Sequence, residues 1–182
     1  MRIIGGKAKG RRIFVPKGRI RPTSDMIKEA LFNMLPSMEG KLFLDLFAGT
    51  GNIGLEALSR GAAKTVFVEV NTLFIEAIKR NLNTCGFDSN YEIVSAPVEK
   101  GLKLLGKRRD QFNIIFADPP YEKNLIKKTL HLLDGSDLIS EDGIMIIQHS
   151  LREELEGDVG NFILTDRRRY GDTIISFFGL SC

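Results

Sequence analysis

The chain has 182 residues, 43% apolar and 27% charged, proportions of one globular domain that exclude a disordered chain, a collagen-like repeat and a disulfide scaffold. Its net charge of +3 is unevenly spread: residues 1–21 carry eight basic side chains and no acid, while the other 161 carry 18 basic and 23 acidic ones. A basic arm on an acidic body points to a polyanionic partner, because clustered Lys and Arg gain from counterion release when they meet phosphates.

In the arm, Gly5, Gly6, Gly10 and Gly18 punctuate Ile3-Ile4 and the run 12–15, so residues 1–21 read as a small basic β-hairpin. Its candidate nucleic-acid contacts are Lys7, Lys9, Arg11, Arg12 and Arg21. Residues 22–182 read as one further domain. After Pro22, the spacing of Ile27, Leu31, Met34 and Leu35 predicts a helix over 23–35, capped by Thr23 or Ser24 and ended by Pro36. A short apolar run at 42–47 predicts a strand, and a helix over 52–60 closes at Gly61. A strand at 65–70 follows, then a helix over 72–85 with Ile75, Ile78, Leu82 and Cys85 inward and Gly86 at its end. The alternation continues with a strand at 91–95, a helix at 98–105, a strand at 113–117, a helix at 124–133 and a strand at 144–148. Short apolar strands alternating with helices imply a mostly parallel sheet covered on both faces, with ligands at the carboxyl ends of its strands. Two β runs at 162–167 and 173–180, joined around Tyr170-Gly171-Asp172, predict an antiparallel C-terminal hairpin.

No apolar run approaches the ~18 residues of a membrane span, and residues 1–7 lack the apolar core of a secretory signal, so the expected location is the cytoplasm, without membrane contact. Cys85 and Cys182 stand at no metal-ligand spacing and read as plain thiols. His131 and His149 have no second ligand nearby, so no metal is expected.

The first strand runs through Asp45, Leu46, Phe47 and Ala48 into Gly49-Thr50-Gly51-Asn52-Ile53-Gly54, a G-x-G-x-x-G between strand and helix. Glycines there let a ligand press against backbone at a helix N-terminus. Glu69, 20 residues beyond Gly49, stands where a carboxylate accepts two ribose hydroxyl hydrogen bonds, with Val70 and Asn71 beside it. The set binds a nucleoside, which NAD, FAD and S-adenosylmethionine all present. Asp45 argues against a dinucleotide, since its carboxylate repels a pyrophosphate and suits the cationic end of S-adenosylmethionine.

At the end of the fourth strand stands Asp118-Pro119-Pro120-Tyr121. Pro120 holds Pro119 out of the α region, and neither proline has an N–H, so the Pro119 carbonyl is presented outward beside the Asp118 carboxylate. Two convergent acceptors hold the two N–H groups of an exocyclic amine and turn its lone pair towards an electrophile. Tyr121 offers a face on which a flipped base can stack.

Together these motifs resemble the class I S-adenosylmethionine-dependent methyltransferases that modify exocyclic amines of nucleic-acid bases. The stretches 1–11, 21–25, 29–33, 44–51, 54–62 and 170–173 resemble, more narrowly, the bacterial 16S rRNA guanine-N2 methyltransferase family, which modifies guanine 966. The resemblance implies a Rossmann-like class I methyltransferase fold, S-adenosylmethionine as cofactor and S-adenosylhomocysteine as product. It places Asp45, Phe47, Ala48, Gly49, Thr50 and Gly51 at the methionine end of the cofactor, Glu69 on its ribose, and Asp118 to Tyr121 on the guanine amine. Near the adenine the third strand offers only Ser95 or backbone, where the family pattern usually has a polar contact. The implied partner is 16S rRNA within the small ribosomal subunit or an assembly intermediate, met by a monomer. On the DPPY motif alone, adenine N6 of DNA or RNA is an equal target, and a non-catalytic RNA-binding assembly factor would share the fold. A nicotinamide oxidoreductase would share the glycine loop and Glu69, but no Tyr is followed four residues later by Lys. A covalent cysteine route is disfavoured by Cys85 in a helix and Cys182 at the terminus. Arg167, Arg168 and Arg169 alternate in direction along a strand, so they cannot all meet one phosphate track.

Overall fold

The structure is a computed structural model describing residues 1–16, 23–120, 125–153, 155 and 157–181. Arg21, Pro22, Tyr121, Asn124 and Cys182, together with Lys17, Gly18 and Arg19, lie outside the described residues. Helix α1 (Asp25–Met34) starts at Ser24, whose side chain accepts from the Ile27 N–H, so of the two candidate caps Ser24 serves and Thr23 is released for other contacts. It stops at Leu35, which Pro36 forces into an extended conformation. The order continues β1 (Leu42–Leu46), α2 (Asn52–Ser59), β2 (Lys64–Glu69), α3 (Thr72–Cys85), β3 (Tyr91–Ser95), α4 (Val98–Lys107), β4 (Phe112–Ala117) and α5 (Leu125–Asp134). It ends with β5 (Ile139–Ser150), β6 (Phe162–Tyr170) and β7 (Thr173–Leu180).

The seven strands form one sheet in the order β3-β2-β1-β4-β5-β7-β6. The first five are parallel, and β7 inserts antiparallel between β5 and β6. This is the Rossmann-like arrangement expected. Strand order reverses between β1 and β4, which opens a crevice at their carboxyl ends. Alternation along β1 sends Leu44 and Leu46 to the face covered by α4 and α5, among Leu102, Leu105, Leu130 and Leu133. Phe43 turns to the opposite face, where α1 packs Leu31 and Phe32. Helices α2 and α3 continue that side through Leu55, Ile78 and Leu82 against Phe67.

Two strands exceed their predicted lengths by three residues or more. β5 begins at Ile139, because Phe112 pairs with Ile139 and Ile114 with Ile144, leaving extra residues of β5 in an irregularity. In sequence this strand is expected only from Ile144, because the polarity of Glu141, Asp142 and Gly143 hides that pairing. β6 runs on to Tyr170, since Arg167, Arg168 and Arg169 pair with β7 on the edge of the sheet.

Residues 1–16 pack against α2 and α3. Arg2 and Arg12 form an antiparallel bridge, and Ile3, Ala8 and Ile13 are buried among Leu55, Leu58, Ile78, Leu82 and Phe87. Beneath them Lys28 and Glu56 are both fully buried, 3.4 Å apart. Lys28 Nζ donates to the Arg2 carbonyl at 2.6 Å and to Asn52 Oδ1 at 2.8 Å. Glu56 accepts from the Ile4 and Gly5 N–H groups and from Arg60. Burial lowers the Lys28 pKa, and the Glu56 carboxylate opposes that fall. The pair thus ties the N-terminal segment to α1 and to the first residue of α2.

Candidate active site

Beyond Leu46 the chain turns sharply into α2, with Phe47, Gly49 and Gly51 all at positive φ (57°, 55° and 78°). Two of the motif's glycines answer different needs. A Cβ on Gly54 would lie 2.3 Å from the Phe67 ring, so this glycine lets α2 press onto β2. A Cβ on Gly49 would meet only the Phe47 carbonyl, at 4.0 Å, so backbone there lies bare to the crevice.

Three carboxylates converge on this loop. Asp45, in β1, is 2% exposed and accepts from the Gly54 N–H at 2.9 Å. Burial pushes its pKa well above the usual 3.8, and the nearby carboxylates of Asp118 and Glu69 push in the same direction. Glu69, ending β2, accepts from Gly49 N–H at 2.8 Å through Oε2, and from Val70 and Asn71 N–H at 2.9 and 2.8 Å through Oε1. It therefore clamps the glycine loop to the start of α3, a task its position in sequence did not reveal. Of a carboxylate's roughly four acceptor positions, three are occupied and one is left for a ligand hydroxyl. Asn71 caps α3 by accepting from Leu73 N–H, and Val70 is exposed at the rim. Three acids at neighbouring strand ends resist ionising together, and a cationic ligand among them would favour their charged forms.

Beside them lies a cavity of about 290 Å³, walled by Phe47, Val70, residues 96–98, Pro120 and the inner side of α5. Ser95 is exposed and does not line the cavity, whose wall after β3 is Ala96, Pro97 and Val98. The Ala96 N–H is spent on the Glu69 carbonyl, so this wall is apolar and suits the flat face of a base.

Asp118 follows β4, with Pro119 buried and Pro120 exposed. Asp118 Oδ2 accepts from Gln148 Nε2 at 3.1 Å. Burial pushes its pKa up to about 7, the Glu153 carboxylate adds to the rise, and the Gln148 hydrogen bond opposes it. A carboxyl that titrates near neutrality can both take and release a proton. Gln148 was missed in the sequence, although a lone amide ending the apolar run Ile144 to Ile147 was a signal. Val98 and the α5 wall were missed as well, because apolar helix positions read as core.

Of the expected nucleic-acid contacts, Arg21 lies outside the described residues and Lys7 is placed away from the crevice. Lys7, Lys9, Arg11 and Arg12 are exposed, but the Lys7 N–H donates to the Ser59 carbonyl and its ammonium lies 4.9 Å from the centre of the Phe87 ring. Ser59 ends α2 and Asn52 begins it, so Lys7 lies about 11 Å along that helix from the crevice. On β6, Arg167 donates to the Leu155 carbonyl and Arg168 pairs with Asp166, on alternate faces. His149 is buried between the Ser150 carbonyl and the Ser176 hydroxyl, and burial lowers its pKa, which fits a structural role. Cys85 is buried against the N-terminal segment, and burial raises its pKa. Among the described residues no helix is long and apolar enough to cross a membrane.

The family model described as "Conserved hypothetical protein 95" matches residues 1–179. A Bacillus subtilis (strain 168) protein named "Putative rRNA methyltransferase YlbH" is 37% identical over 180 residues, covering 98% of each chain. The "Ribosomal RNA small subunit methyltransferase D" of Escherichia coli (strain K12) is 32% identical over 166 residues, 90% of this chain and 82% of its own. A solved structure described as "Putative methyltransferase yhhF from Escherichia coli" superposes with a TM-score of 0.88 at 31% identity, covering 100% of this chain and 98% of that one.

Proposed function

This chain belongs to the family of conserved hypothetical protein 95 and small-subunit rRNA methyltransferase D and has the Rossmann-like class I methyltransferase fold, and from that premise we propose its reaction. It transfers a methyl group from S-adenosylmethionine to the exocyclic N2 amine of a guanine, of the position-966 type, in 16S rRNA. The observation that carries the reading is the convergence of Asp45, Glu69 and Asp118 on one crevice beside bare glycine backbone. A sulfonium and an ammonium would relieve the mutual repulsion of these carboxylates, Gly49 admits close approach, Glu69 retains an acceptor for a ribose hydroxyl, and the apolar wall at 96–98 suits an adenine.

When bound, the cofactor supplies a methyl group already activated by its sulfonium. The protein's own task is to place the amine and to manage its proton. Asp118 and the Pro119 carbonyl accept the two amine N–H groups, which turns the nitrogen lone pair towards the methyl. Once N2 has gained a fourth bond it is acidic, and the Asp118 carboxylate takes its proton and passes it to water, leaving N2-methylguanine and S-adenosylhomocysteine. A pKa of about 7 suits both halves of that transfer. Tyr121 stacks on the extruded base.

Residues 1–21 serve as the RNA-contacting segment and 22–182 as the catalytic domain, which acts as a monomer in the cytoplasm. Lys7 lies well away from the crevice, so an RNA that touches both must present a broad surface, as an assembled small subunit or its intermediate does. Rates on naked 16S rRNA and on assembled particles test this, and equal rates count against it. The role of Asp118 is tested by Asp118→Ala, which should abolish transfer while calorimetry shows the cofactor still bound. An undiminished rate would remove Asp118 from the mechanism.

A further inference from the structure

We propose that Gln148, supported by Thr23, is the positioning residue that holds Asp118 ready as a proton acceptor, an inference that rests on the methyl-transfer reading above. Gln148 ends a run in which Met145, Ile146 and Ile147 are fully buried, and it is itself only 3% exposed. A primary amide in such a place destabilises the fold unless both its ends are hydrogen-bonded. Its Nε2 donates to Asp118 Oδ2 at 3.1 Å, and its Oε1 accepts from Thr23 Oγ1 at 3.2 Å.

The direction of this chain of bonds carries the argument. An ionised carboxylate only accepts, so Gln148 must turn its NH₂ to Asp118 and its carbonyl to Thr23. Thr23 is buried and held in turn. Its carbonyl accepts from Asn52 Nδ2 at 3.4 Å, and Asn52 Oδ1 accepts from the buried Lys28 ammonium at 2.8 Å. Burial and the Glu153 carboxylate beyond β5 resist the ionisation of Asp118, and Asp118 in turn raises the pKa of Asp45 on β1. Gln148 is the donor that works against them. By engaging Oδ2 it also fixes the carboxyl plane and leaves Oδ1 for the amine.

The test is Gln148→Met, close in volume and without a donor. Loss of a hydrogen bond to a charged group should raise the midpoint of the kcat/KM profile by about one to two pH units. The rate at pH 7 should then fall roughly 5- to 50-fold and recover by about pH 9.5, while cofactor affinity stays within about twofold. A fall of equal size at every pH, or an unmoved midpoint, would overturn the positioning role. A second readout needs no substrate: the carboxyl carbon-13 resonance of Asp118, assigned by its loss in Asp118→Asn, should titrate at higher pH in Gln148→Met than in the parent. Displacement of that titration in a protein that does not methylate small subunits would sink the methyl-transfer reading and leave the positioning contact standing. Should Gln148→Met fail to fold, Thr23→Val serves: freeing the amide to turn should move the titration in the same direction by a smaller step, and no movement would overturn the proposal.

Discussion

Replacing Asp118 with Asn should make the protein less active and more stable, and the gain in stability should depend on pH. The Asp118 carboxyl titrates at about 7 in the folded protein and near 3.8 when unfolded, chiefly because burial disfavours its charged form. A group whose folded pKa is raised binds its proton more tightly in the native state, so its contribution to stability is fully present below pH 3.8 and is lost as pH rises to 7. The gap of about three pH units corresponds to about 4 kcal/mol at full expression. Because Asp118 is only partly buried, about 2 to 4 kcal/mol is the expected range. Asparagine keeps the shape of the neutral acid and an oxygen for the Gln148 amide, and it never ionises. Urea unfolding of both proteins should therefore give nearly equal stabilities at pH 4 and a widening advantage for Asp118→Asn up to pH 7, with no further change by pH 8. At pH 8, a gain of 3 kcal/mol would raise Tm by about 6 to 12 °C in a chain of this size. A difference that stays constant with pH would refute the reasoning, because it would show that Asp118 ionises in the fold as easily as in water.

Four further substitutions separate binding from folding. Gly49→Ala meets only the Phe47 carbonyl, at 4.0 Å, and should lose only about 1 to 2 kcal/mol to its left-handed φ while lowering cofactor affinity at least tenfold by calorimetry; Gly54→Ala, forced into the Phe67 ring, should lose stability far more. Unaltered cofactor affinity in Gly49→Ala would contradict the bare-backbone cradle. Glu69→Ala removes the acceptor of the Gly49, Val70 and Asn71 N–H groups, so both cofactor affinity and Tm should fall; a fall in affinity with Tm unchanged would show that it does not clamp the loop. Lys28→Met leaves the Arg2 carbonyl and Asn52 Oδ1 without their donor, but Glu56 keeps Arg60 and two backbone N–H groups, so the loss should be about 3 kcal/mol, at the lower end for a broken buried pair. Equal stability by denaturant titration would show that the pair does not anchor the N-terminal segment.

What the sequence displayed was whatever depends on local periodicity and turn chemistry. The apolar runs of β1, β2 and β4 and the helices between them stand out because parallel strands buried on both faces are short and mostly apolar. The glycine loop and Glu69 stand out because their spacing follows from one strand, one turn and one helix. Contacts between distant segments were not visible. Gln148 meets Asp118 and Thr23 only once β4, β5 and the start of α1 are side by side. Lys28 and Glu56 look like ordinary surface charges in helical sequence, and Ile3, Ala8 and Ile13 follow no period that announces burial. Edge strand β6 hid its last turn of pairing because Arg167, Arg168 and Arg169 are all exposed, so no alternation marks them.

The central claim is tested most directly by incubating the protein with S-adenosylmethionine carrying a labelled methyl group and small ribosomal subunits that lack the modification, then digesting the 16S rRNA to nucleosides. The account predicts label in N2-methylguanosine and in no other nucleoside. Label in N6-methyladenosine, or no transfer by protein that still binds the cofactor, would contradict it.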